Sequence, residues 1–156
     1  MQSRLKQILQ PVFQLMKIDA SALEESPDYV MTLDDGLSVE LRESPPDYLT
    51  VSCLLPISSA RFDDPQTLAI LLQTNLLGLE HPPVLTGAIV EQKKIIVWTR
   101  QPFLMLDAHG LKRLFERYVE QAQKTAAWLA IPQQQPAASG ARAGLPRDVR
   151  SPAPRP

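Results

Sequence analysis

The residues that could carry out catalysis or hold a metal ion are few in this chain of 156 residues, and they are widely spaced. Two histidines, His81 and His109, stand beside chain-breaking residues, and neither has a cysteine or another histidine at metal-ligand spacing. Zinc sites typically need three or four such ligands, so we expect no metal site. The single cysteine, Cys53, alternates with apolar residues, which is typical of a small buried side chain rather than of a nucleophile.

Two pairs of adjacent aspartates are explained by local structure rather than by acid–base chemistry. Asp34-Asp35 precedes Gly36 in a hairpin-turn pattern, and Asp63-Asp64 precedes Pro65 as the cap of a helix. Only six glycines are present, and none belongs to a phosphate-binding loop. The sequence therefore predicts no catalytic residue, no cofactor and no enzymatic activity.

The formal net charge of −1 is unevenly distributed along the chain. From residue 132 onward four arginines stand against one aspartate, which gives +3 and leaves −4 for residues 1–131. An acidic body disfavours binding to the phosphates of nucleic acids. We find neither a stretch apolar enough to cross a bilayer nor the apolar core of a secretory signal. With a single cysteine as well, the expected location is a reducing cytoplasm, without stable membrane insertion.

Apolar periodicity predicts three helices. Residues 3–17 repeat apolar side chains at helical spacing, although Pro11 favours either a kink or a later start. Residues 67–79 are apolar around so much of the helix that it must be buried on two sides, by its own sheet and by a second chain. This pattern predicts a homodimer; a helix enclosed within one domain is the alternative. The third helix begins at Asp107 and carries one apolar stripe.

Period-two alternation predicts five strands, three before the second helix and two after it, at residues 29–33, 37–42, 48–55, 84–91 and 94–100. The order α-β-β-β-α-β-β-α indicates the α+β class, with a twisted antiparallel sheet packed by helices. One domain is expected at residues 1–131. Residues 132–156 are rich in proline, alanine and arginine and are expected to form a disordered tail.

Two segments within this order are similar to those of a known family. The stretch that starts at Asp64-Pro65 and continues into LLQTNLL at residues 71–77 is similar to an "LLxxNL"-type second helix. Residues 101–106, QPFLML, are similar to a "PL"-type junction before the last helix. Over residues 3–129 the sequence thus resembles the class I type III secretion chaperones, the family typified by the Tir chaperone.

The resemblance implies a homodimer in the bacterial cytoplasm that binds the N-terminal region of a secreted effector in extended form and keeps it soluble and competent for secretion. It implies no enzymatic activity and leaves contacts with the secretion apparatus open. The residues expected at the dimer contact are Leu68, Leu71, Leu72, Asn75 and Leu76. Those expected to bind the effector, on the first helix and adjoining strands, are Leu5, Ile8, Leu9, Val12, Phe13, Val39 and Leu41.

Two other functions stay open on the sequence alone. A small α+β enzyme or ligand-binding domain with an apolar pocket would need residues brought together from distant positions. A regulator would use the arginines of the tail on nucleic acid, although no aromatic residues are interleaved with them. A bound metabolite or turnover would favour the first, and salt-sensitive nucleic-acid binding that depends on the tail would favour the second.

Overall fold

The computed structural model describes residues 4–77 and 80–132. Its helices are α1 Arg4–Ile8, α2 Gln10–Leu15, α3 Ser59–Phe62, α4 Pro65–Thr74 and α5 Ala108–Ala130. Its strands are β1 Asp28–Thr32, β2 Ser38–Glu43, β3 Tyr48–Leu55, β4 Leu85–Ile89 and β5 Lys94–Pro102. Short 3-10 turns occur at Ala20–Ala22 and Phe103–Met105. The tail expected at residues 132–156 lies outside the described residues except for Pro132, as does Leu79 at the end of the expected second helix.

The strands form one antiparallel sheet in the order β1-β2-β3-β5-β4. The turn between β1 and β2 contains Gly36 with a φ of +86°, a conformation that glycine adopts without steric cost. β3 pairs with β5 rather than with β4, which lies at the edge of the sheet. Helix α4 lies between the first three strands and the last two along the chain. The α+β class and the antiparallel sheet expected from the sequence are confirmed.

Alternation within the strands places the core on one face of the sheet. Cys53 of β3 and Val97 of β5 are buried in one cluster with side chains from α1, α2 and α5. Tyr118 of α5 is fully buried, and its hydroxyl donates to the Val97 carbonyl at 2.8 Å. The polar tip of this large side chain is thereby satisfied inside the core.

The first helix is divided, as its proline indicates. α1 and α2 meet at Leu9, and Pro11 lies in the first turn of α2, where its missing N–H removes no helical hydrogen bond. The Leu9 amide still donates to the Leu5 carbonyl at 2.9 Å, and the Phe13 amide to the Leu9 carbonyl at 3.0 Å. Of the two outcomes expected from Pro11, the kink is the one observed.

The second helix starts at Pro65, as the Asp63-Asp64-Pro65 pattern predicts, but α4 ends at Thr74, before the end expected at residue 79. Asp64 caps the helix by accepting hydrogen bonds from the amides of Gln66 and Thr67, and Pro65 follows it directly. The preceding helix α3 carries too few residues to show apolar periodicity, which is why the sequence did not reveal it.

Arg61 of α3 anchors the C-terminal end of α5. Its side chain is buried, and Nη1 donates to the carbonyls of Trp128 at 2.6 Å and Ile131 at 2.9 Å. The guanidinium also lies 4.2 Å from the centroid of the Trp128 ring. Terminal helix carbonyls lack hydrogen-bond donors within their helix and attract positive charge. Arg61 supplies both the donors and the charge.

Replacing Arg61 with methionine tests this anchor. Arg61→Met keeps most of the side-chain length but removes both hydrogen bonds, so we expect the free energy of unfolding to fall by about 2 kcal/mol. Urea denaturation at one fixed protein concentration measures it. Arg113→Met, at an exposed position of α5, is the control and should change stability by less than about 0.5 kcal/mol. Equal losses in the two variants would contradict the anchor.

Candidate protein-binding site

The residues expected to bind an effector lie mostly inside the subunit. Six of them are at most 1% exposed: Leu5, Leu9, Val12, Phe13, Val39 and Leu41. The seventh, Ile8, is half-buried and packs against the same core. Most of the apolar stripe of the two short N-terminal helices is buried in the core, and the ring of Phe13 meets that of Tyr29 edge-on, with 5.5 Å between the ring centroids. The expected surface patch is therefore corrected, because these side chains form the core of the subunit.

A shallow apolar groove remains open next to these buried residues. It runs between α2 and α5 and encloses about 280 Å³. Its residues share an apolar floor with a polar margin: Leu15, Met16, Phe115 and Val119, with Glu116, Glu120 and Gln123. Sequence periodicity could not find this groove, because it depends on how two helices far apart in the chain pack together.

The residues expected at a dimer contact divide into a buried and an exposed group. Leu71 is 4% exposed and Leu68 is half-buried, and both pack on the sheet. By contrast, Leu72 is 64% exposed and Leu76 is 80% exposed. Ile70 and Leu77 are also exposed, so α4 and the turn after it present several large apolar side chains to solvent. We call Ile70, Leu72, Leu76 and Leu77 the α4 apolar surface.

Asn75 is paired within the subunit rather than exposed on that surface. Its Nδ2 donates to the Thr86 carbonyl at 3.0 Å, and the Thr86 amide donates to its Oδ1 at 2.7 Å. Because β4 is an edge strand, these are the backbone groups that an added strand would use. Asn75 thus fixes the end of α4 and closes the sheet edge at Thr86.

An apolar recess lies between α4 and the sheet, beside the exposed leucines. It encloses about 140 Å³. Its walls come from Leu68, Leu71 and Leu72 on the helix and from Thr86, Gly87, Ala88 and Ile95 on the strands. A dry cavity of about 150 Å³ can hold a benzene ring, so this recess has room for about one apolar side chain.

In the part of the chain that the structure describes, no group of three or more His, Cys, Asp or Glu side chains could hold a metal ion. Burial raises the pKa of the Cys53 thiol, and the Asp35 carboxylate raises it further, which disfavours the reactive thiolate. Both histidines are exposed. Within the same residues, no helix is long and apolar enough to cross a membrane.

Comparison with known proteins decides the family. The model of the Tir chaperone protein (CesT) family matches residues 7–126, which is most of the chain. The chain belongs to this family. The resemblance inferred from the order of the elements and from the LLQTNLL segment is thereby confirmed. A comparison with curated protein sequences gave no match.

Solved structures of similar fold are complexes of type III secretion chaperones. The ExoT–SpcS complex of Pseudomonas aeruginosa matches with a TM-score of 0.60 at 18% identity, covering 76% of this chain and 94% of that one. SycH of Yersinia pestis, in complex with a fragment of YscM2, matches with a TM-score of 0.62 at 13% identity, covering 81% and 99%. The HopA1–SchA chaperone–effector complex matches with 0.61 at 18% identity, covering 78% and 92%. At such identities the likeness concerns the fold.

The pairing of Asn75 with Thr86 can be tested by a change of one atom. Asn75→Asp keeps the acceptor for the Thr86 amide but sets a carboxylate oxygen against the Thr86 carbonyl, so we expect stability to fall by about 1–3 kcal/mol. The Thr86 amide should also exchange faster with solvent. Gln73→Glu, an equal charge change at an exposed position of α4, is the matched control. Equal exchange rates at Thr86 in the two variants would refute the pairing.

Proposed function

We propose that this protein is a homodimeric chaperone that binds a segment of a type III secreted polypeptide in extended form and keeps it soluble and competent for secretion. Membership of the Tir chaperone family supports the proposal. In the compared structures, SchA is bound to the effector HopA1, and SycH to a fragment of YscM2. The proposal assigns binding and no reaction to the chain, and it places the protein in the bacterial cytoplasm, where a secreted polypeptide is held before export.

The observation that carries the proposal is the α4 apolar surface. Large contiguous apolar patches on a soluble protein typically mark a binding site for another protein. A second copy related by a two-fold axis would cover the same patch on both subunits. The recess beside Leu72 could then receive an apolar side chain of the partner copy. Leu68 and Leu71 support this contact from beneath, and Asn75 holds the end of the helix in place.

Two features near α2 fit an extended client. The groove between α2 and α5 can take apolar side chains of a bound segment. Among residues 4–77 and 80–132, β1 pairs only with β2, so its outer edge can add a strand through backbone hydrogen bonds. Tyr29 of β1 packs on Phe13 of α2, which places this edge beside the N-terminal helices. Backbone pairing tolerates many sequences, and apolar contacts add selectivity.

The dimer can be tested by placing a charge on the exposed side of α4. Leu72→Glu should dissociate the dimer by at least about tenfold in Kd while the subunit stays folded, because Leu72 is 64% exposed within the subunit. Light scattering after size-exclusion chromatography should show about twice 17.4 kDa for the unmodified protein and one subunit mass for the variant. Val30→Glu, at an exposed position on the opposite edge of the sheet, is the control. A monomeric unmodified protein at micromolar concentration would exclude the dimer.

Client binding can be tested by co-expression with the neighbouring reading frame. A polypeptide should co-purify with about two chaperone chains per client. Met16→Gln, which adds polarity to the groove at nearly constant size, should reduce its recovery several-fold while the dimer persists. Val90→Gln removes an exposed apolar side chain just after β4, away from both the groove and β1, and should leave recovery unchanged. Full recovery with Met16→Gln would place the client elsewhere.

A further inference from the structure

A polar pocket lies apart from the α4 apolar surface and from the groove between α2 and α5. It is formed by the loop before β4, the 3-10 turn after β5 and the first turns of α5, and it encloses about 350 Å³. Its charged walls come from Glu80 of the loop and from Arg113 and Arg117, which lie one helical turn apart on α5. A volume near the lower limit for ligand pockets is suited to one or two side chains of a partner.

Arg117 is held in place by the loop. Its Nε lies 3.0 Å from a carboxylate oxygen of Glu80, and an Nη donates to the Pro82 carbonyl at 2.7 Å. A guanidinium carries five N–H groups, so these contacts leave donors for a ligand. The loop thereby positions one cation at the pocket before any ligand arrives.

Arg113 has no such partner. It is exposed, and it makes no hydrogen bond or ion pair with any residue in the ranges 4–77 and 80–132. Like charges at positions i and i+4 of a helix repel each other, as those of Arg113 and Arg117 do. Glu80 neutralises the charge of Arg117 and leaves that of Arg113. The pocket therefore has a surplus positive charge, and a carboxylate placed between the arginines would relieve the repulsion.

Apolar side chains complete the pocket and extend its mouth. Leu106 and Leu114 line it together with Met105, which is largely exposed. Leu104, next in the chain, is 90% exposed. Apolar surface of this kind contributes little to binding a small inorganic anion, but it is what a polypeptide partner covers.

We propose that this pocket binds an acidic side chain of a polypeptide together with an adjoining apolar side chain. Residues 1–131 carry a net charge of −4, so an acidic segment is repelled from the subunit as a whole and attracted at this point. That the polypeptide is the secreted client rests on the proposed function. The pocket itself lies within one subunit and depends on neither the dimer nor the client groove.

The test uses two short peptides, N-acetyl-Leu-Glu-Leu-amide and its Gln counterpart, titrated into the full chain and followed by NMR. The Glu peptide should shift the amides around Leu106 and Arg113 and should bind at least about tenfold more tightly than the Gln peptide. Arg113→Gln should weaken Glu-peptide binding about tenfold. Lys112→Gln, the same charge change at the neighbouring exposed position outside the pocket, should leave it unchanged. Raising the NaCl concentration should weaken binding.

Three results would overturn the proposal. They are equal binding of the two peptides, unchanged binding in Arg113→Gln, and binding of acetate or inorganic phosphate as tight as that of the Glu peptide, which would indicate a general anion site. None of them bears on the dimer or on co-purification of a client. Conversely, a monomer in light scattering would contradict the proposed dimer while leaving peptide binding at this pocket intact.

Discussion

Helix α4 and the turn after it carry more apolar surface than one subunit buries. Leu71 lies on the sheet, whereas Leu72, the next residue, leaves 64% of its surface exposed. Burying a leucine side chain stabilises by about 1.5–3 kcal/mol, so leaving four large apolar residues in water forgoes several kcal/mol per subunit. Exposed apolar surface of this extent on a soluble protein typically marks a site where a partner binds.

The two edge strands of the sheet differ in whether backbone groups on their outer side are already hydrogen-bonded, and this affects how a partner can bind. At β4 the Asn75 side chain occupies the backbone groups of Thr86, so contacts beside α4 are made by side chains. At β1 no described strand pairs with the outer edge, so a client can bind there through its backbone. Side-chain contacts favour one defined partner, whereas backbone pairing accepts many sequences. The proposed dimer contact at α4 and the proposed client site at β1 make use of that difference.

Local signals in the sequence predicted the elements well, and long-range contacts account for what was missed. Asp64 and Gly36 act through neighbours one to three residues away, so the helix start and the hairpin turn were readable. The apolar stripe of the first helix was equally clear, but periodicity cannot tell a side chain buried in its own core from one that awaits a partner. Arg61 reaches carbonyls about 70 residues away, and no local pattern indicates such a contact.

Helix α5 connects the separate surfaces, because its successive faces serve different purposes. Tyr118 enters the core, Val119 lines the groove, Arg117 lines the polar pocket, and Trp128 holds the anchor from α3. With about 3.6 residues per turn, a helix of 23 residues has room for all four. Each face is positioned by the same buried stripe. The apolar groove can therefore supply affinity while the arginines discriminate by charge, and neither requires the helix to move.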